Sequence, residues 1–184
     1  MQDQIKKALK LIQDEEPIIV PTDTVYGLVC RYDSKKAVQK IYKLKKRSRK
    51  KPLILLGYNW QALKKFVSLK SISYSTSHIL QSYWPGPLTV ILPASNKAPR
   101  FLNRGFKTIG IRVPNNKFLL KLLKKSPGQV LASTSANISG KPSKSPQKKL
   151  LRNIKFFLRA KKNEMSTLPS KIIVFEKKKL IILR

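Results

Sequence analysis

Acidic residues are scarce in this sequence. Only 8 of its 184 residues are Asp or Glu, against 40 Lys and Arg, and the formal net charge is +32. Between residues 17 and 163 the only acids are Asp23 and Asp33. Catalysis by a pair of carboxylates needs two acids at one site, and an all-protein Mg²⁺ or Ca²⁺ cage needs several oxygen ligands. The composition therefore argues strongly against both kinds of site.

Histidine, cysteine and glycine motifs are scarce too. His78 and Cys30 are the single residues of their types, so neither a disulfide within the chain nor a cysteine-based metal site is expected. A Ser-His-Asp or Cys-His catalytic set would have to use His78, and no motif supports one. Gly105 and Gly110 have the GxxxxG spacing, but the Lys-Ser/Thr of a phosphate loop does not follow. A bound nucleotide must therefore be held by side chains.

Long apolar runs are absent. None approaches the roughly 18 residues that cross a bilayer, and the N-terminal stretch is a polar helix rather than a signal peptide. We therefore expect a cytoplasmic protein with no membrane partner. The hydrophobic fraction of 41% is enough for a globular core. A chain of this length is most simply one domain, here residues 1–184.

The positive charge has two interpretations. It is typical of a nucleic-acid-binding protein, but nine of the forty cations are Arg and the rest are scattered Lys. Arg forms the bidentate contacts that recognise phosphates and bases, whereas scattered Lys supplies mainly an electrostatic field. We favour compositional bias for most of the charge. The field would still attract ATP or RNA, less strongly in salt.

Hydrophobic periodicity predicts a mixed α/β sheet with flanking helices. Strands are expected at 18–20, 53–56, 88–92, 108–113 and 129–132, and a closing hairpin at 172–175 and 180–183. Helices are expected at 2–13, from a cap at Ser34 to Pro52, and at 60–67, 75–83 and 116–125. The pattern assigns no structure to residues 150–168.

Two turns of the first predicted strand–helix–strand unit stand out. A hydroxyl-rich turn, residues 21–24, follows the first strand, and a cationic turn containing Lys45, Arg47 and Lys51 precedes the next. Because ligands of α/β sheets bind in crevices at strand ends, this pairing suits a ligand that is anionic at one end and small and polar at the other. The alternative for the cations is a solvated basic helix end, which the helix dipole favours.

Three further positions are candidates. Ser135 and Asn137 lie in a strand-to-loop turn rich in hydroxyl groups, although Ser and Asn are also ordinary turn residues. Arg112 interrupts an apolar strand, and alternation places it on the face opposite Ile111 and Val113. Its alternative is an outward-facing edge position. The segment 84–87 is expected to be a structural corner.

Five ordered segments resemble the YrdC-like family, the threonylcarbamoyl-AMP synthases. The resemblance extends from about Ile18 to Ser145 and recurs weakly at Pro169-Ser170 and Arg184. The segments are PTDTVYGL (21–28), IYKLKKRSRKKPL (41–53), YWPGPLTVIL (83–92), TIGIRVP (108–114) and STSANISG (133–140).

The resemblance implies an α/β fold whose twisted sheet surrounds a basic concave groove. It implies that L-threonine, bicarbonate and ATP give threonylcarbamoyl-AMP and pyrophosphate. The product then supplies N6-threonylcarbamoyladenosine at position 37 of tRNAs reading codons that begin with A, through a separate transferase complex. Mg²⁺, where used, would be held by phosphates and water rather than by protein ligands.

The resemblance also implies roles for individual residues. Threonine-binding positions are Thr24, Arg112, Ser135 and Ser170. ATP-binding positions are Arg47, Lys51, Thr108, Asn137, Ser145 and Arg184. Lys45 and Arg47 are the catalytic candidates, because they would stabilise charge on the phosphoryl oxygens while a carbamate attacks the α-phosphorus. The alternative to the enzyme is a noncatalytic module that binds double-stranded RNA or tRNA. Such a module would have no use for an amino-acid pocket lined by hydroxyl groups.

Overall fold

The computed structural model describes residues 1–48, 50–72, 74–140, 145–161, 164–176 and 179–183. The helices are α1 (Gln2–Gln13), α2 (Lys35–Lys45), α3 (Trp60–Leu63), α4 (Tyr74–Tyr83), α5 (Arg100–Asn103), α6 (Lys117–Lys125) and α7 (Lys148–Leu151). The strands are β1 (Ile18–Val20), β2 (Gly27–Arg31), β3 (Ile54–Gly57), β4 (Leu88–Pro93), β5 (Thr108–Arg112), β6 (Val130–Ser135), β7 (Lys171–Glu176) and β8 (Lys179–Ile182). No helix in these ranges is both long and apolar enough to span a membrane.

The strands form one mixed sheet in the order β1-β2-β6-β3-β5-β4-β7-β8. The pairs β3/β5 and β4/β7 are parallel, and the remaining neighbours are antiparallel. This arrangement confirms the predicted mixed α/β sheet with flanking helices. The closing hairpin of β7 and β8 is also confirmed.

One face of the sheet packs against α2, α3, α4 and α5. Ile41 of α2 and Leu63 of α3 belong to the same buried cluster as Leu55, Val90 and Ile111 of the strands. Since side chains alternate between the two faces of a strand, the residues next to these in sequence point to the other side. Cys30 is also buried in this cluster, as expected for a small hydrophobe.

The second face is covered by α1 and α6 over part of its width. Ile12 and Leu122 pack there with Val29, Leu56 and Leu131 in a separate apolar cluster. Beyond these two helices, the same face of the sheet bears polar side chains and borders a hollow. The uncovered part of this face is therefore where the fold leaves room for a ligand.

Helix α2 ends earlier than the sequence predicted. Ser34 caps it as expected, accepting a hydrogen bond from the Ala37 amide at 3.0 Å. The helix stops at Lys45 rather than at Pro52, because Lys46 adopts the left-handed conformation (φ 49°) that ends helices. Residues 46–52 therefore form a turn, which frees Arg47 from the helix surface.

Other strand boundaries also differ from the prediction. No strand was predicted at β2, yet Gly27–Arg31 pairs along β6 in register with residues 131–135. Strand β6 continues through the hydroxyl run to Ser135 instead of ending at residue 132. The hydroxyl groups of β6 consequently stand on a sheet strand, which holds them more rigidly than a loop would.

Residues 150–161 comprise the end of α7 and an extended segment that follows the edge of the sheet. The Ile19 amide donates to the Phe156 carbonyl, and the Leu158 amide donates to the Ile19 carbonyl, both at 3.0 Å. The Ala160 amide donates to the Tyr26 hydroxyl at 2.9 Å. Both this backbone pairing and buried apolar side chains such as Leu150 and Phe156 hold the segment. The partner of Ala160 lies 134 residues earlier in the sequence, so local periodicity could not predict the pairing.

Candidate active site

A hollow of about 730 Å³, its open mouth included, lies on the uncovered part of the second face. We call it the central hollow. Six strands or their ends contribute to it, from β2 on one side to β7 on the other. Its lining residues are Thr22, Thr24, Val25, Tyr26, Gly27, Arg47, Pro52, Ile54, Leu56, Thr89, Arg112, Ser133, Thr134, Ser135, Pro169, Ser170 and Ile172.

Arg112 projects from β5 into the central hollow. Its guanidinium donates from Nε to the Gly86 carbonyl at 2.9 Å, from Nη1 to Thr24 Oγ1 at 2.9 Å, and from Nη2 to Asp23 Oδ1 at 2.6 Å. The residue is 4% exposed, and β5 lies between β3 and β4 rather than at an edge. Three partners from two segments, the turn with Asp23 and Thr24 and the turn with Gly86, therefore hold the guanidinium in one orientation.

The turn that bears Thr24 is held by its own hydroxyl groups. Thr22 Oγ1 accepts from the Thr24 amide at 2.9 Å and donates to the Val25 carbonyl at 2.8 Å. The two threonine hydroxyls are 3.0 Å apart, and both residues are buried. A side-chain oxygen bonded to the backbone two or three residues later stabilises a tight turn. This local pattern places Thr24 beside Arg112.

Ser170 lines the central hollow at its β7 end. Its hydroxyl lies 3.0 Å from the Thr89 hydroxyl, and both residues are buried. Thr89 pairs with Ile172 across the parallel strands β4 and β7. The hydrogen bond between the two hydroxyl groups therefore joins the segment before β7 to strand β4.

Lys45 is buried beneath the turn that follows β6 and is not among the lining residues. Its ammonium contacts the Ser135 carbonyl and donates to the Asn137 carbonyl at 2.7 Å and to Asn137 Oδ1 at 3.0 Å. The Ser135 hydroxyl also donates to Asn137 Oδ1 at 2.6 Å. The predicted members of two separate motifs thus form one hydrogen-bonded unit.

The charge state of Lys45 reflects two opposing effects. Burial, with a smaller contribution from the nearby charge of Arg47, lowers the pKa of Lys45 to about 7. The three acceptor oxygens oppose that shift, because only the ammonium form can donate three hydrogen bonds. A buried lysine whose hydrogen bonds all go to one turn is suited to positioning that turn.

Arg47 lines the rim of the central hollow. Its Nε donates to the Lys51 carbonyl at 3.2 Å and its Nη2 to the Pro52 carbonyl at 3.0 Å. Burial lowers the pKa of Arg47 somewhat from its usual high value, and a guanidinium remains charged at neutral pH. The turn that ends α2 therefore supplies a cation to the hollow through a side chain braced against its own backbone.

The structure brings some predicted site residues together and leaves others apart. Thr24, Arg47, Arg112, Ser135 and Ser170 line the central hollow. Of the remaining predicted residues, Lys45 and Asn137 lie just behind it, Thr108 lies four positions before Arg112 on β5, Lys51 and Ser145 are exposed, and Arg184 falls outside the described residues.

Ser145 is tied to the same neighbourhood through Gln147. The Ile138 amide donates to Gln147 Oε1 at 2.8 Å, and Gln147 Nε2 donates to the Ser145 carbonyl at 3.5 Å. The segment that begins at Ser145 therefore lies next to the turn containing Asn137.

Sequence reasoning missed Asp23 and Thr89. Asp23 is the ion-pair partner of Arg112, and Thr89 holds Ser170. The signal for Asp23 was available, since it is one of two acids between residues 17 and 163. No comparable signal marked Thr89, because a threonine in a strand is unremarkable.

The fold and the central hollow define an α/β protein whose sheet borders a hollow lined by two guanidinium groups and several hydroxyl groups. A family model for Sua5, YciO and YrdC proteins, described as "Telomere recombination", matches residues 10–184. The chain belongs to this family.

Curated relatives are between 34% and 38% identical to the chain over the aligned residues. The threonylcarbamoyl-AMP synthase of Yersinia enterocolitica is 38% identical over 74% of this chain and 71% of the relative. That of Klebsiella pneumoniae is 34% identical over 76% and 73%.

Solved structures agree with the fold over nearly the whole chain. Sua5 of P. abyssi in complex with L-threonine matches with a TM-score of 0.85 and 29% identity, over 98% of this chain. The chain spans about half, 53%, of the length of that protein. YciO of E. coli matches with a TM-score of 0.82 over 100% of this chain, and at 22% identity that match concerns the fold alone.

Proposed function

We propose that the protein is a threonylcarbamoyl-AMP synthase. It joins L-threonine, bicarbonate and ATP into threonylcarbamoyl-AMP and releases pyrophosphate and water. The observation that supports this most is the composition of the central hollow, which combines a buried guanidinium, several hydroxyl groups and a second guanidinium at its rim. The names of the curated relatives and the threonine bound to P. abyssi Sua5 point to the same reaction.

The amino acid occupies the part of the hollow around Arg112. The guanidinium binds the threonine carboxylate, since a carboxylate and a guanidinium form strong charge-assisted hydrogen bonds. The hydroxyl groups of Thr24, Ser135 and Ser170 surround the same space. Hydroxyl groups can donate to or accept from the polar atoms of threonine, which an apolar pocket would leave without partners.

ATP approaches from the rim that carries Arg47. Lys51 is exposed in the same turn, and Thr108, Asn137, Ser145 and Arg184 complete the proposed nucleotide site. The guanidinium of Arg47 faces the triphosphate and stabilises the charge that develops on the phosphoryl oxygens. One preorganised donor of this kind contributes roughly 3–4 kcal/mol to a transition state.

The reaction needs no protein nucleophile. The threonine amine and bicarbonate form a carbamate with loss of water, and a carbamate oxygen then attacks the α-phosphorus while pyrophosphate leaves. The protein supplies position and cationic stabilisation. Lys45 takes part indirectly, by holding the turn that bears Ser135 and Asn137.

Magnesium enters the proposal as part of the nucleotide substrate. Among the described residues no group of three metal-ligating side chains is present, and the carboxylate nearest the hollow, Asp23, is paired with Arg112. These residues do not fit a metal site built by the protein alone. Mg²⁺ accompanies ATP through its phosphates, and no step above depends on it.

The product is an activated intermediate that must be handed on. The proposed recipient is the tRNA threonylcarbamoyl transferase complex, in the cytoplasm, which makes N6-threonylcarbamoyladenosine at position 37 of tRNA. The electrostatic field of a chain with net charge +32 would also attract tRNA. RNA binding is therefore compatible with the proposed enzyme activity.

The test is pyrophosphate release with one substrate omitted at a time, combined with a mass measurement of the product. We expect release to require threonine, bicarbonate and ATP together, and the product to have the mass of threonylcarbamoyl-AMP. Pyrophosphate release that ignores threonine would refute the enzyme. Tight RNA binding without any such release would instead support the noncatalytic RNA-binding module.

A further inference from the structure

Asp23 is a carboxylate that the proposed chemistry leaves unused. It lies between Thr22 and Thr24, both of which line the central hollow. No Asp or Glu is among the lining residues that the structure describes, while two arginines are. The other acid between residues 17 and 163, Asp33, pairs with Arg31 in an exposed position. Asp23 is thus the carboxylate next to the proposed amino-acid site.

Asp23 has one oxygen engaged and one without a partner. Oδ1 accepts from Arg112 Nη2 at 2.6 Å. Oδ2 is buried and makes no hydrogen bond to any part of the chain that the structure describes. A buried carboxylate oxygen without a donor is unfavourable, because the water it gave up has not been replaced. Such an atom marks a place where a ligand donor would be accepted.

We infer that Asp23 receives the α-ammonium group of the substrate amino acid. The inference rests on the proposed function, which places the threonine carboxylate on Arg112. In an amino acid, the ammonium and carboxylate groups are attached to the same carbon atom. A carboxylate held by Arg112 therefore brings the ammonium group close to the carboxylate that is already bonded to that guanidinium.

The geometry around Asp23 allows this contact. Its backbone carbonyl accepts from the Ser166 amide at 3.2 Å, so the backbone at residue 23 is held in place. The terminal torsion of an aspartate is broad and roughly two-fold. The carboxylate can therefore turn between Arg112 and a ligand without a change of side-chain rotamer. Asp23 and Arg112 together would recognise both charges of a zwitterion.

Threonine and its α-hydroxy analogue, 2,3-dihydroxybutanoate, separate this role from simple positioning of Arg112. The analogue keeps the carboxylate and the β-hydroxyl but has no ammonium group. We would measure the dissociation constants of both by calorimetry, for the wild-type protein, for Asp23→Asn and for the matched control Asp33→Asn. Asparagine keeps the shape and can still accept from Arg112.

We expect Asp23→Asn to lose most of its preference for threonine over the analogue, and Asp33→Asn to keep it. In Asp23→Asn, threonine should bind about 30-fold or more weakly, since a buried charge pair has lost one member. The analogue should bind as well as before or better, because a negative charge near its carboxylate is gone. Asp33→Asn should behave as the wild type.

Three outcomes would overturn the inference. Equal weakening of both ligands in Asp23→Asn would show that Asp23 only orients Arg112. Equal affinity of the wild-type protein for both ligands would show that no ammonium receptor exists, even where the variant does not fold. Failure of the wild-type protein to bind threonine at all would refute the proposed function itself, and this inference with it.

Discussion

The two ends of the proposed site are built differently. At the amino-acid end, Arg112, Thr24 and Ser170 are 4%, 3% and 6% exposed, and each is bonded to another part of the protein. At the nucleotide end, Lys51 and Ser145 are exposed. The buried groups of the first end are fixed before any ligand arrives, whereas the second end combines the braced Arg47 with cations and hydroxyls on exposed turns.

This difference matches what the two ligands require. Threonine is small, so discrimination depends on buried polar groups that are left unpaired when the wrong molecule binds. A triphosphate carries several charges and is attracted by exposed cations over a longer range. The same hollow can therefore be selective at one end and strongly attractive at the other.

Substitution of Arg112 should have the largest effect and act on one ligand. In Arg112→Lys the single ammonium cannot replace three directed donors, and the partner Asp23 loses its bond. Threonine affinity should fall about 100-fold or more, with ATP affinity nearly unchanged. Calorimetric titration with each ligand would measure this. An equal loss for ATP would mean that the two ends are not separate.

Substitution of Arg47 should act mainly on turnover. Arg47→Ala removes a donor aimed at the phosphoryl oxygens, so kcat should fall roughly 100-fold or more, while threonine affinity is retained. Steady-state pyrophosphate release gives kcat. Lys50→Ala is the matched control, since Lys50 is an exposed cation of the same turn. Near-normal kcat in Arg47→Ala would remove this residue from the mechanism.

Substitution of Lys45 should lower stability as well as activity. Lys45→Met keeps the length of the side chain but leaves the acceptors at Ser135 and Asn137 without their charged donor. The free energy of unfolding should fall by about 1–3 kcal/mol, as measured by urea denaturation. Unchanged stability with lost activity would instead indicate that Lys45 acts on the substrate directly.

Added salt should have the smallest effect, and it should weaken ATP binding more than threonine binding. Exposed charges are screened within about 8 Å at physiological ionic strength, and buried pairs much less. Raising the salt concentration about tenfold should weaken ATP binding several-fold, because exposed cations are screened, and should leave threonine binding almost constant. Parallel titrations at both concentrations test this. Equal sensitivity of both ligands would contradict a preorganised, buried amino-acid end.

Much of the fold and part of the site could be predicted from local patterns. Alternation in β5 gave the correct face for Arg112, because residues next to each other in a strand face opposite sides. The cap at Ser34 located the start of α2 for a similarly local reason. The ordered motifs pointed to Thr24, Ser135 and Ser170, which line one hollow in the structure.

What could not be predicted depends on contacts between distant parts of the chain. Asp23 and Arg112 are 89 residues apart in sequence, and no periodic pattern pairs them. Lys45 follows Ile41 by four positions and so lies on the buried face of α2. Its bond to Ser135, 90 residues later in the sequence, has no such local signal. Contacts between residues so far apart in the sequence cannot be predicted from local patterns.

The most direct test of the account is a crystal structure of the protein with L-threonine and a slowly reacting ATP analogue. We predict the threonine carboxylate on the Arg112 guanidinium and the phosphates beside Arg47, with both ligands in the central hollow. Threonine bound elsewhere, or ligands on separate faces of the sheet, would contradict it.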